Sequence, residues 1–259
     1  MVKETRKGPR CQCTPGCLNP PLENSPFCQE HLRFCPRQAP LSGFEPQFDP
    51  DKYNKKKGLK ESQNCFAYAF DYTQLPKKPN CTEESCSVPF PQPGRASGYP
   101  KWSKIKGKRC PDLNARVMGD VKGAKITAFE NKCPKGMTKI AAVTDEDEDY
   151  HFYRQDSNGY WSHKPGATDV THLDATKRLI YDPQLARRKY EDSGLDYNNF
   201  CGYMCVPVKQ HKFKRGGSFL RKSLQKSKRS LKRGLKKTMR KQRGLKKTLR
   251  KSRRGLAFV

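Results

Sequence analysis

The chain has 259 residues, with 54 Lys and Arg against 25 Asp and Glu, a net charge of +29 and only 34% apolar residues. That is too polar for one well-filled domain of this length, so part of the chain is expected to lie outside any core. No run approaches the eighteen or more apolar residues of a membrane span, and the charged Met1–Arg10 start is unlike a signal peptide.

The charge is unevenly placed. From Lys209 to Val259 there are 22 Lys and Arg and no acidic residue, whereas the first 208 residues carry 32 basic and 25 acidic side chains. Composition divides the chain into a Cys-rich module (1–35), a Pro-punctuated linker (36–58), a body with core-forming residues (59–208) and a basic arm (209–259). With no signal-like start, the twelve cysteines read as thiols, metal ligands or a nucleophile rather than as a secreted disulfide framework. The chain is accordingly expected inside a cell at synthesis.

In the first module Cys13, Cys17, Cys28 and His31 give C-x3-C-x10-C-x2-H. Two pairs of soft ligands joined by a short loop can close a tetrahedron around zinc. The residues between them, Leu18 to Pro26, cannot bury a core, so a metal would have to supply the folding energy. Cys11 and Cys35 are spare: either can replace a ligand, or the two can pair. The alternative is a reduced, unstructured Cys-rich tail.

The body begins with a short apolar helix over Asn64–Tyr72, with Ser62 or Asn64 as N-cap. Pro76 to Pro100 reads as a long loop, and Asp112 to Met118 as a second helix. Thr138–Thr144 and Tyr150–Gln155 read as strands either side of the acidic turn 145–149. Asp156-Ser157-Asn158-Gly159 makes a hairpin turn into a third strand, Tyr160–Lys164, and Phe200–Val208 closes the sheet. The fold class is α+β.

Cys65 stands where the first helix begins, a position that lowers a thiol's pKa. His151 lies on the strand after the acidic turn. A base on a strand facing a cysteine on a helix is the arrangement of papain-like and NlpC-like hydrolases, with Gln63 or Asn64 near an oxyanion and Gln155, Ser162 or His163 as orienter. The competing reading is a core cysteine and a satisfied strand histidine, since cysteine is among the most buried residue types.

The arm contains tandem repeats, RGLKKTMRKQ from Arg233 and RGLKKTLRKS from Arg243. Leu220, Leu224, Leu231, Leu235, Met239, Leu245, Leu249 and Leu256 fall within an arc of about 120° on a helix, which makes the segment a basic amphipathic helix. Lys232, Arg233, Lys236, Lys237, Arg240, Lys241, Arg243, Lys246, Lys247, Arg250 and Lys251 are the candidate polyanion-binding residues, for nucleic acid, an anionic membrane face or an acidic protein groove. A solvated solubility tail is the plainer alternative.

The stretches NCFAYAF, FPQPGRASGYP, DYHFYRQDSNGYWSHKPG and FCGYMCVP, together with the Cys-rich opening followed by CPRQAPLSGFEP, resemble an uncharacterised protein family of giant DNA viruses (nucleocytoplasmic large DNA viruses) and some bacteria. The resemblance spans roughly residues 11 to 208 and is most specific from Tyr150 to Pro165; the arm lies outside it. It implies a structural virion component, a minor capsid or core-associated protein with other capsid proteins as partners. Synthesis would be in the host cytoplasm. The alternatives are a papain-like cysteine protease or amidase using Cys65 and His151, and a nucleic-acid condensing protein. The sequence identifies no small-molecule substrate.

Overall fold

The computed structural model describes residues 10–13, 17–23, 25–32, 35, 38–78, 80–208 and 211–215. Met1–Gly216 forms one compact unit. The basic amphipathic helix and its polyanion-binding residues lie outside the described residues.

The unit is α+β. Helices α1 (Asp51–Asn54), α2 (Lys57–Ser62), α3 (Cys65–Ala69) and α4 (Cys110–Asp120) precede most of the sheet. Five antiparallel strands follow in the spatial order β1 (Lys125–Thr127), β7 (Asn199–Pro207), β2 (Met137–Thr144), β3 (Tyr150–Gln155), β4 (Trp161–Ser162). A separate hairpin pairs β5 (Lys189–Tyr190) with β6 (Leu195–Asp196). Among the described residues no helix is long and apolar enough to cross a membrane.

Strand alternation sorts the side chains of the sheet into two layers. Ile140, Ala142, Tyr150, Phe152, Met204 and Val206 face α3 and α4, where they pack with Phe66, Leu113, Val117 and Trp102. Ala141, Val143, Tyr153, Trp161 and Tyr203 face the opposite way, against Ile180, Tyr181, Ala186 and Tyr197. Every residue of β2 and β3 is buried, so these strands show none of the polar–apolar alternation of a half-exposed sheet. Each fully buried Phe or Ile in these layers contributes about 1.5–3 kcal/mol.

Local chemistry explains the elements. The Asn64 side chain accepts from the Ala67 N–H, so Asn64 and not Ser62 caps α3. The helix stops at Ala69, short of the expected Tyr72, and Asp71 takes a left-handed conformation (φ 49°). Gly159 (φ 86°) makes the hairpin turn, and Gln155 pairs with Trp161 and Arg154 with Ser162. In β7 the register shifts opposite Ala142/Val143, and Gly202 there has φ 101°. This bulge reverses the alternation. Phe200 joins the Tyr203 layer, while Cys201 turns toward α4.

Three disulfides follow: Cys110–Cys201 ties α4 to one face of β7, Cys133–Cys205 ties a loop to its other face, and Cys81–Cys86 closes a small loop. The expectation of thiols, metal ligands or a nucleophile rather than a disulfide framework is therefore corrected for these six cysteines. The cysteines are far apart in sequence, by 91 and 72 residues in the two long-range bridges, and only the bulge and strand pairing bring them together.

The expected linker is likewise part of the body. Gln155 donates to the Ala39 carbonyl, the Ser42 hydroxyl to the Met137 carbonyl, and Tyr53 packs edge-on against Tyr68. The arm's expected start at Lys209 also moves. Phe213 sits against Phe66, Phe70 and Tyr72, and Arg215 donates to the carbonyls of Ser62, Gln74 and Pro89. Lysines flanking these residues hid an apolar strap that returns to α3.

Buried cations hold the layers together. Arg154, 1% exposed, reaches Asp156 at 2.9 Å and Asp71 at 3.1 Å and stacks on the Tyr68 ring. The Lys164 ammonium donates to the carbonyls of Lys60, Gln63 and Gly166, and burial lowers its pKa to about 8.

Candidate metal centre

Among the described residues, Cys11, Cys17, Cys28 and His31 form a cluster that could hold a metal ion, with one potential ligand atom from each and all four within 4.8 Å of one another. Cys11 Sγ is 3.4 Å from His31 Nδ1, Cys28 Sγ is 3.3 Å from the same nitrogen, and Cys17 Sγ is 3.8 Å from Cys28 Sγ. A tetrahedral ion bonded at ~2.3 Å to sulfur and ~2.0 Å to nitrogen requires edges of roughly 3.5–3.8 Å. The four atoms can therefore hold one metal ion.

Three of the four expected ligands are in this set; Cys11 takes the place assigned to Cys13. The reason lies in the backbone. Cys11 N–H donates to Asn19 and Gln12 N–H to Pro26, which lays the first residues beside the loop. His31 N–H donates to the Cys28 carbonyl, so these two ligands sit across a single turn. Burial opposes ionisation of Cys28, but hydrogen bonds from the His31 backbone and from neighbouring side chains outweigh it and lower its pKa to about 7. A thiol poised this way is readily deprotonated for a metal.

The module does not stand alone. The Gln12 side chain accepts from Tyr181 N–H at 2.7 Å and Asp182 N–H and donates to the Leu179 carbonyl at 2.6 Å. Phe27 meets the Tyr181 ring edge-on, and Arg178 donates to the Leu22 carbonyl. Nothing in the spacing of the cysteines signals this docking; the one hint is a lone glutamine between two of them.

Cys65 and His151 are not brought together. Cys65 packs in the α3 layer, with its Sγ 3.9 Å from the carbonyl of Tyr150. His151 is the next residue on β3, so its side chain points to the other face, where it lies against Tyr153 and Tyr197. The sheet stands between them. Burial, reinforced by Asp149, pushes the Cys65 thiol up, opposite to what a nucleophile needs. Of the three candidate orienters, His163 is the one that meets His151, with Nδ1 2.7 Å from His151 Nε2. Ser162 bonds the Tyr68 hydroxyl and Gln155 bonds Ala39.

The two histidines form a closed chain. His163 Nε2 donates to the Leu173 carbonyl at 3.0 Å, which leaves its Nδ1 to accept from His151 Nε2–H. Both rings are fully buried, and burial pulls the His163 pKa down to about 4 and that of His151 well below the ordinary value. As pH falls below about 6.5 the unfolded chain binds protons that the folded pair refuses, so stability declines down to about pH 4. His163 alone should contribute a loss of about 3 kcal/mol across that window. Urea midpoints measured at pH 7 and pH 4.5 should show it, and His163→Gln should flatten the dependence. An equally steep profile in the variant would assign the acid sensitivity elsewhere.

The chain is 31% identical over 160 residues to insoluble matrix shell protein 1 of Ruditapes philippinarum, a match that covers 62% of this chain and 89% of that protein. The chain belongs to the family of that shell matrix protein. No family model matches it, and no solved structure does. The name of that relative describes an insoluble shell matrix.

Proposed function

We propose that this protein is a structural component of an insoluble assembly, built as a cross-linked body with a cationic attachment segment. The observation that carries the reading is membership in the family of an insoluble matrix shell protein. The two long-range disulfides on β7 support it, because they suit a body that must persist outside a reducing compartment. A giant-virus particle, the setting implied by the sequence resemblance, is one such assembly, in which the body would be a minor capsid or core-associated protein. A secreted matrix is the setting suggested by the shell protein. The geometry lends no support to a papain-like hydrolase.

The metal in this reading is zinc. Three thiolates and an imidazole at tetrahedral spacing form a closed, four-ligand donor set of the structural kind, with no position open for substrate. The ion would fix the loop that Gln12 and Phe27 dock onto the body.

The attachment segment after Gly216 supplies 18 Lys and Arg without one acidic residue. Its partner is a polyanion, nucleic acid or an anionic membrane face, bound through released counterions and so weakened steeply by salt. Fractionation of the native assembly tests the reading. The full chain should stay in the pellet through non-ionic detergent at low salt, whereas a chain ending at Gly216 should leave it. Release of the full chain by detergent alone, or retention of the shortened chain, would sink the proposal.

A further inference from the structure

Six of the twelve cysteines are joined in disulfides and three belong to the metal cluster, which leaves Cys13, Cys35 and Cys65. Cys65 opens α3 and is buried in a cluster that holds neither Cys13 nor Cys35. Cys13 and Cys35 are placed differently. Cys13 belongs to the cluster of the ligand sulfurs, and Cys35 packs against that cluster.

Both are pinned to one platform. Cys13 follows Gln12, whose side chain is held by three hydrogen bonds to residues 179–182. Cys35 packs against the layer that contains Tyr181, and its N–H donates to the His31 carbonyl, one turn beyond the last residue of the metal cluster. The two thiols therefore lie beside one cluster, at the two ends of the segment that carries most of the ligands. That loop carries Cys17, Cys28 and His31, three of the four ligands.

We propose that Cys13 and Cys35 form a fourth disulfide, which converts the ligand-bearing loop into a closed ring and traps the metal ion. The trapping half rests on the metal reading above; the bond itself does not. The chemistry is a two-electron oxidation. Two S–H bonds break and one S–S bond forms, while two electrons and two protons pass to a low-molecular-weight disulfide, which is cleaved to two thiols. The oxidising conditions that allow the other three bridges supply that reagent class. Metal-bound thiolates are withheld from the exchange, so Cys13 and Cys35 are the pair left to react. Once closed, the ring denies the loop the extended conformations through which the ion would escape.

Full-length protein loaded with zinc is treated with oxidised glutathione, denatured with chelator, alkylated and digested with trypsin. The bond should join the peptide 11–33 to the peptide 34–37, with Cys11, Cys17 and Cys28 alkylated. Release of zinc to a chromogenic chelator should slow at least tenfold on oxidation, and Cys13→Ser and Cys35→Ser should each abolish the slowing. Recovery of Cys35 alkylated, or linked to Cys11, Cys17 or Cys28, would overturn the proposal. A Cys13–Cys35 bond with unchanged release would overturn the trapping. A bond formed in protein that binds no zinc would remove the metal reading and leave the disulfide standing.

Discussion

Removing both long-range bridges, by Cys110→Ser with Cys201→Ser and Cys133→Ser with Cys205→Ser, should leave the body unfolded or nearly so at room temperature. Each bridge closes a long loop, 91 and 72 residues in sequence separation, and chain entropy alone assigns about 4–5 kcal/mol to either one. The loops overlap, so the second bridge closes an effective ring of roughly thirty residues and adds about 3–4 kcal/mol to the first. The combined loss, about 8 kcal/mol, is comparable with the whole stability of an ordinary domain, about 5–15 kcal/mol. Trp102 and Trp161 are both buried and report unfolding by fluorescence. Single-bridge variants should shift the urea midpoint strongly, and the double variant should show no cooperative transition. An unchanged midpoint in reductant would mean that the sheet holds without its staples.

The second large effect is loss of metal. Structural zinc sites of this donor type bind with an apparent 10–16 kcal/mol, energy that also folds the loop. Full-length protein should contain one equivalent per chain. Cys28→Ser and His31→Ala should reduce affinity by orders of magnitude, as should Cys11→Ser. Cys13→Ser should leave the stoichiometry at one. The cysteine variants decide the ligand set, because the spacing of the sequence favours Cys13 and the geometry favours Cys11. Unchanged metal content in Cys11→Ser together with loss in Cys13→Ser would reverse the assignment.

These effects divide what the sequence reveals from what it conceals. The strand Tyr150–Gln155 and the turn after it are legible because β-forming residues meet turn residues there, and the structure places the strand at those bounds. The α+β class follows from the same local signals. The acceptor on Asn64 was visible as one of two candidate caps. Three of the four side chains of the candidate metal cluster were legible from pairwise spacing, which is a local property of a short loop.

The rest depends on contacts between distant residues. The role of Cys201 turns on one extra residue in β7, made possible by Gly202, and no periodicity announces a bulge. Cys65 and His151 each occupy a reasonable position for chemistry, yet the sheet face of a strand residue depends on register, and one step of register decides everything. His211 and Phe213 read as part of a charged tail because their neighbours are lysines; only the aromatic surface of α3 gives them a place. The buried cations Arg154 and Lys164 look like surface residues in sequence, since their partners are carbonyls and carboxylates brought from far along the chain.

Cys65 is buried in the body and its thiol pKa is pushed up, so its reactivity in native protein tests most directly whether the body is a stapled scaffold. Iodoacetamide applied to the folded, oxidised, zinc-loaded chain at pH 7 to 8.5, followed by peptide mass analysis, should leave Cys65 unmodified for as long as the fold persists. Cys65→Ala should then cost stability, about 1–2 kcal/mol for the small void it leaves, and alter no hydrolytic activity. Rapid alkylation of Cys65 below pH 8.5, with an amidase or protease activity that the alanine variant lacks, would contradict the account and make the body an enzyme.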